Sequence, residues 1–330
     1  MDTKDFPSIL LHGARGTGLW EALLEAAAGL LCERAPRGAA PWQARACGEC
    51  AGCHLWRSGT HPDLRVLVPP ALAAELGLGS GQGASAADAG AEKGGDKRSA
   101  SAGREISIDD VRSLIDWAQG TSHRGGAKVA VVHQLDAMAA PAANALLKVL
   151  EEPPPGLCFL TGTYQLERVL PTLRSRCSLR AWARPAESAA LEELQRRGEA
   201  DAQAVARWCR QAVFDTEPAR GLEWARALLR QAAAGRQPGS DGVTPAVAIE
   251  ALQKLTVDML RARSGLEPLY LPGFERELGL LGRRGTAGAW QAWWQRLNQA
   301  ARVADFPLHA GLATQAWVVE WMQLCNSGAN

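Results

Sequence analysis

Asn144-Ala-Leu-Leu-Lys-Val-Leu-Glu-Glu-Pro-Pro-Pro155, with Cys158-Phe-Leu160 and Leu173-Arg-Ser-Arg-Cys177 behind it, is the stretch from which the rest of the chain can be read. Leu146, Leu147 and Leu150 recur at the spacing of a helix face packed on a sheet. Three prolines cannot continue that helix, so it should end near Glu152. Cys158–Gly162 then reads as a short buried strand. Pro171 suits the first turn of a further helix, expected to carry Arg174 and Arg176 to its C-terminal end. Taken singly, each arginine reads as half of an ordinary surface ion pair, worth about 0–1 kcal/mol.

Taken together, L-L-K-x-L-E-E-P-P followed by S-R-C resembles the clamp-loader branch of the AAA+ ATPases. In that branch the arginine of S-R-C reaches into a neighbouring subunit's ATP site. The resemblance gives Arg176 the expected role of an arginine finger acting in trans.

The composition sets bounds. A chain of 330 residues is long for one core, which predicts two or three domains. A formal net charge of +1 supplies no overall field to recruit nucleic acid. The apolar runs are far shorter than the roughly 18 residues of a membrane span. The N-terminus M-D-T-K-D-F-P has no apolar signal region, so the expected compartment is the cytoplasm. In that compartment eight cysteines read as metal ligands or buried thiols rather than disulfides.

Ser8–His12 reads as the first strand, Gly13-Ala-Arg-Gly-Thr-Gly18 as a glycine-rich turn, and Leu19 to about Leu31 as a helix. Strand, glycine turn and helix form the context of a phosphate-binding loop. Gly13 and Gly18 fit its pattern, but Leu19 stands in the lysine position and Trp20 in the Ser/Thr position. Neither can neutralise a phosphate or hold Mg²⁺. The expectation is a loop that has kept its shape and lost its nucleotide chemistry. The alternative is phosphate held by backbone N–H groups alone.

Cys32 and Cys47-Gly-Glu-Cys50-Ala-Gly-Cys53 follow. The C-x₂-C-x₂-C spacing lets three thiolates turn around one ion, and Cys32, ending the preceding helix, can be the fourth ligand. Four sulfurs suit tetrahedral Zn²⁺ in a closed structural site; unliganded thiols and an iron–sulfur cluster are the alternatives. Arg34, Arg37, Arg45 and Arg57 lie near enough in sequence to offset its negative charge. His54 sits beside Cys53, a poor geometry for a further ligand.

A second strand is expected near Leu64–Val68. From 79 to 103 nearly every residue is Gly, Ala, Ser, Asp, Lys or Glu, the composition of a disordered insertion. Order resumes at Ile106, with Ser107 and Asp110 as a capping pair for a helix reaching about Gln119 and stopping at Gly120. Ser122–Lys128 is a basic loop, either a solvated turn or a nucleic-acid contact. Val129–Val132 is a buried strand. In an AAA+ ATPase a carboxylate pair would end it; His133 and Gln134 stand there, and Asp136 lies too far along the turn to replace them. His133 as a metal ligand has no nearby partner in sequence. Ser178–Trp182 is the expected fifth strand.

Beyond Pro185 the alternation stops. Ala186–Arg197, Asp201–Ala212 and Leu222–Ala234 read as three helices, Gly235–Val243 as a linker, and Thr244–Met322 as more helix. Trp290, Trp293, Trp294, Trp317 and Trp321 recur there at helical spacings, mostly as core, with some available to face other subunits.

The whole layout resembles the delta-prime family of bacterial DNA polymerase III clamp-loader subunits. The resemblance implies an AAA+ parallel-sheet core over 1–183, with a zinc module at 32–57 and the insertion at 79–103. A helical lid over 184–240 and a C-terminal helical collar over 241–330 would follow. It implies zinc on Cys32, Cys47, Cys50 and Cys53, and no productive ATP at the degenerate loop of Gly13, Gly18, Leu19 and Trp20. The implied partners are the ATPase (gamma/tau) and delta subunits of a five-membered ring that loads a sliding clamp onto primed DNA in replication, with no membrane. Two features depart from the family pattern: few residues precede the first strand, where another helix is usual, and the insertion at 79–103 is extra. An autonomous AAA+ ATPase with unusual phosphate ligands is opposed by Leu19, Trp20, His133 and Gln134. A zinc-module nucleic-acid binder is opposed by the near-zero net charge and the lack of a dense basic run near the cysteines.

Overall fold

The computed structural model describes residues 8–36, 41–42, 44–78, 103, 105–214, 218–239, 242–301 and 310–327. The expected insertion at 79–103, Gly103 apart, lies outside them, as does Arg37. The chain divides into two units, 1–184 and 185–330.

The first unit is built on five strands: β1 (Ile9–His12), β2 (Leu64–Leu67), β3 (Lys128–His133), β4 (Leu157–Thr163) and β5 (Ser178–Ala181). They form one parallel sheet in the order β2-β3-β4-β1-β5. Parallel strands need covered faces, and the central ones read as unbroken apolar runs for that reason. Alternate residues divide between two layers. Ile9, Val129, Val131, Cys158 and Leu160 meet Leu19, Leu23 and Ala27 of α1 (Leu19–Leu31). Leu10, Ala130, Val132, Leu157 and Phe159 meet the helices on the other face. There α4 (Ile108–Gln119) contributes Val111 and Leu114, and α5 (Ala140–Glu151) contributes Leu146, Val149 and Leu150. This is the AAA+ core arrangement that the motifs implied.

Local chemistry sets the ends. A capping box joins Ser107 and Asp110 at the start of α4, with Gly120 as its C-cap. α5 stops at Glu151, with Glu152 as its cap before the prolines. The helix begun by Pro171 is shorter than expected. α6 is a single turn, Pro171–Arg174, so Arg176 stands two residues beyond its end instead of on it. Two short helices were not anticipated: α2 (Ala51–Arg57) inside the cysteine run and α3 (Pro70–Glu75) after β2.

The second unit is all helical: α7 (Glu187–Arg196), α8 (Ala202–Trp208), α9 (Pro218–Ala233), α10 (Pro245–Arg263), α11 (Glu275–Arg284), α12 (Ala287–Ala301) and α13 (Ala310–Asn326). The expected helix over Asp201–Ala212 ends early, because Arg210 and Gln211 take left-handed conformations at φ 48° and 65°. α10 is the centre, packed on α9, α11, α12 and α13. Its buried Asp258 accepts N–H bonds from Leu269, Tyr270 and Leu271 at 2.6, 3.0 and 2.8 Å, tying the following loop to the helix. Trp290, Trp293 and Trp321 are fully buried, whereas Trp294 is exposed and Trp317 half-buried. One apolar cluster runs from Ala190 to Cys325. A lid and a collar divided near residue 240 therefore share a core within this unit, and their separation stands as a proposal.

Candidate functional site

The cysteines come first because the fold brings them together most completely. Cys32 is the C-cap of α1, where the chain leaves the helix in an extended conformation. Cys50 is the N-cap of α2, and Cys53 lies in its first turn. Gly48, at φ 79°, makes the turn between Cys47 and Cys50. Gly52 allows α2 to lie against the end of α1; a Cβ there would come within 2.6 Å of the Leu31 carbonyl oxygen. The result is four Sγ atoms all within 4.8 Å of one another. Cys32 and Cys50 sulfurs are 3.9 Å apart, as are those of Cys47 and Cys53, about twice a disulfide bond length. Three backbone N–H groups point at sulfur: Cys47 to Cys32, Cys50 to Cys47 and Cys53 to Cys50, each at 3.4 Å. Donors aimed at sulfur favour thiolates, the form that binds metal. The arrangement can hold one metal ion.

The surrounding arginines are differently used. Arg34 pairs with Glu49 at 2.8 Å and Arg45 with Glu25 at 3.5 Å. Arg57 lies against the Gly48 turn, where a glycine Cβ would be only 2.8 Å from its guanidinium. His54 is exposed and outside the four-sulfur set. The basic loop at Ser122–Lys128 is a pinned turn. Buried Asp63 accepts from Ser122 Oγ and from the His123 and Arg124 N–H groups at 2.8–3.0 Å. Arg124 pairs with Glu33, and the Lys128 ammonium donates to the Trp117 and Gly120 carbonyls.

The glycine-rich turn keeps the frame of a phosphate loop. Gly16 and Gly18 have φ 81° and 79°, and Gly18 caps α1. Thr17 Oγ1 donates to the Ala14 carbonyl at 2.7 Å, and the Trp182 indole N–H donates to the Thr17 carbonyl at 2.9 Å. Behind the turn, the residues that stand where a phosphate-binding site would carry lysine, hydroxyl and carboxylate groups pack together. Leu19 and Trp20 are buried. The Trp20 ring lies 5.3 Å from that of His133, which meets Tyr164 edge-on at 5.0 Å. His133 Nε2 is 3.1 Å from the Tyr164 hydroxyl. Burial, helped by nearby Arg15, pushes the His133 pKa down to about 3, so the ring is neutral. Gln134 takes a left-handed conformation at φ 58° as the strand turns away. Asp136 accepts a hydrogen bond from Thr163 Oγ1.

Arg176 is held by its own chain. It donates to the Thr172 carbonyl at 2.8 Å and to Ser175 Oγ at 3.4 Å, and it pairs with Glu151 at the end of α5. Sequence reasoning missed two partners. Tyr164 carried no motif, while Glu151 lay inside the quoted L-E-E-P-P but was read only as the end of a helix.

Residues 2–184 match the family model described as DNA polymerase III, delta subunit. A DNA polymerase III subunit delta′ of Pseudomonas aeruginosa is 36% identical over 187 residues, 57% of this chain and 46% of that protein. The chain belongs to the DNA polymerase III delta-prime family. The delta′ subunit of Escherichia coli is also 36% identical, over 51% of this chain and 39% of that protein. The matches thus span less than half the length of these curated relatives. Among solved structures, a DNA polymerase III gamma subunit-related protein from Thermotoga maritima covers 98% of this chain and 96% of that chain, at 16% identity and a TM-score of 0.45. Among the described residues no helix is long and apolar enough to cross a membrane.

Proposed function

We propose that this chain is a non-catalytic delta-prime subunit of the clamp loader of a bacterial DNA polymerase III. It would stand in a five-membered ring with ATPase (gamma/tau) and delta subunits that loads the sliding clamp onto primed DNA. The observation that carries the reading is a phosphate-loop frame whose catalytic positions are occupied by the Leu19–Trp20–His133–Tyr164 packing. In a chain without lysine, hydroxyl or carboxylates for its own nucleotide, an Arg176 placed for phosphate chemistry would act on a nucleotide held elsewhere. Arg176 would meet the γ-phosphate of ATP in the adjacent subunit, where a planar guanidinium forms forked bonds to phosphoryl oxygens. Membership of the DNA polymerase III delta-prime family supports a cytoplasmic location.

The four thiolates would hold structural Zn²⁺. Tetrahedral Zn–S bonds of about 2.3 Å place sulfurs about 3.8 Å apart, close to the two 3.9 Å separations here. The ion would join the end of α1 to α2 and so fix the module on the core.

The test is nucleotide hydrolysis by the reconstituted ring, stimulated by DNA and clamp, with a gel-filtration check of assembly. Arg176→Ala should leave the subunit folded and incorporated, yet slow its neighbour by about 10³–10⁵ at that site. Arg176→Lys should restore only part of the rate. Normal hydrolysis at every site with Arg176→Ala would reject the finger.

A further inference from the structure

We propose that Glu151 is the positioning residue for Arg176, holding the guanidinium in the pose from which it meets a neighbour's phosphate. The inference rests on the reading of Arg176 as a finger acting in trans. Because α6 ends at Arg174, no helix carries Arg176, and its aim must come from side-chain and carbonyl contacts. Those contacts are few: the Thr172 carbonyl, Ser175 Oγ and the Glu151 carboxylate. The first two hold Nη1, while Glu151 takes Nη2. A guanidinium has five N–H donors in a rigid fork, so contacts at both Nη1 and Nη2 that take three of them still leave donors for phosphoryl oxygens.

The location of Glu151 supports this role independently. It is the last residue of α5, where the helix dipole disfavours a carboxylate. Local helix chemistry therefore does not account for an acid there, whereas an arginine to hold does. The position is also well fixed: Leu146, Val149 and Leu150 bury the preceding turn, and Pro153–Pro155 prevent the helix from running on. A carboxylate on a rigid helix end can hold a long, half-exposed side chain in one rotamer, which lowers the ordering cost when the phosphate is met.

The experiment uses rings in which only the ATPase subunit beside this chain keeps a working nucleotide site. Glu151→Ala should lower kcat at that site by about two- to fivefold, the range of a half-exposed ion pair, with KM for ATP unchanged. Melting temperature and incorporation should not fall, since Glu151 is half-exposed. Glu152→Gln, one residue on, is the charge-matched control and should have no effect. In an Arg176→Ala background, Glu151→Ala should add nothing. An unchanged rate would overturn the proposal. So would a raised rate, which would mean that Glu151 competes with phosphate for the arginine. A loss that persists without Arg176 would show that Glu151 acts elsewhere. If Arg176→Ala is itself silent, the finger reading fails and this one with it; if Arg176→Ala is slow and Glu151→Ala is not, only the positioning role is lost.

Discussion

The glycine turn at Gly13–Gly18 and the cysteine cluster sit at opposite ends of one helix, α1, and we propose opposite fates for them. At the N-terminal end the backbone frame persists, with two left-handed glycines and a helix cap, but its reactive positions are filled by Leu19, Trp20 and His133. At the C-terminal end Cys32 joins three other sulfurs within 4.8 Å of one another, with N–H donors aimed at Cys32, Cys47 and Cys50. A backbone shape can survive as packing when its chemistry is gone. A ligand set has no such second use, because four converging thiols contribute little to a core. The first end should therefore tolerate no nucleotide and resist disturbance as a core does, and the second should depend on its ion.

The largest effect expected is at the second end. Structural zinc can supply on the order of 10 kcal/mol to a small module. Cys50→Ser should lose the metal and loosen residues 32–57 in hydrogen exchange, while β1, β3 and β4 keep their protection. Metal analysis that finds no zinc in the unsubstituted protein, or a module unchanged by Cys50→Ser, would break the contrast.

An attempt to restore the first end sharpens it. Leu19→Lys with Trp20→Ser rebuilds the phosphate-loop pattern, yet His133, Gln134 and Tyr164 remain. Removing a buried indole should cost about 3–5 kcal/mol, read as a lower denaturant midpoint. Calorimetry with ATP and Mg²⁺ should detect no tight binding by either protein. Micromolar affinity in the unsubstituted chain would mean that the backbone N–H groups still hold phosphate unaided.

The two ends were also unequally legible. The proposed loss at the glycine turn rests on four residues legible in the sequence, because a lysine or a carboxylate has no apolar substitute. What fills the space was not legible there, since Tyr164 lies about 30 residues beyond His133 and reaches it only through the β3–β4 pairing. The cysteine spacing pointed to the cluster, but α2 went unseen, because seven residues with glycine and cysteine carry little helix periodicity. The central strands stood out as apolar runs, and proline and capping residues marked the ends of α4 and α5. Arg176 was misplaced onto a helix because Pro171 signals where a helix begins and nothing nearby signals that it stops after one turn. In the helical unit, the linker at Gly235–Val243 suggested a boundary near residue 240, while the long-range partners of the tryptophans and leucines in α7–α13 are specified by no local pattern.

The smallest effect concerns His133 and isolates its packing with Trp20 and Tyr164 behind the glycine turn. Burial holds its folded-state pKa at about 3, against 6.5 for the free side chain. Above pH 6.5 the ring is neutral in both states and has no influence on the pH dependence. As pH falls below 6.5 the unfolded chain takes up a proton that the folded chain refuses, so stability declines by about 1.4 kcal/mol per pH unit until about pH 3. His133→Gln removes the titrating group. Its denaturant midpoint should lie below that of the unsubstituted protein at pH 7.5, because a ring packed between Trp20 and Tyr164 is lost. The gap should then narrow by about 1 kcal/mol by pH 5.5. Protonation of the thiolate cluster also lowers stability in acid, but it does so in both proteins and cancels in the difference. A gap that is constant with pH would mean that His133 titrates normally, and hence that water reaches the ring behind the glycine turn.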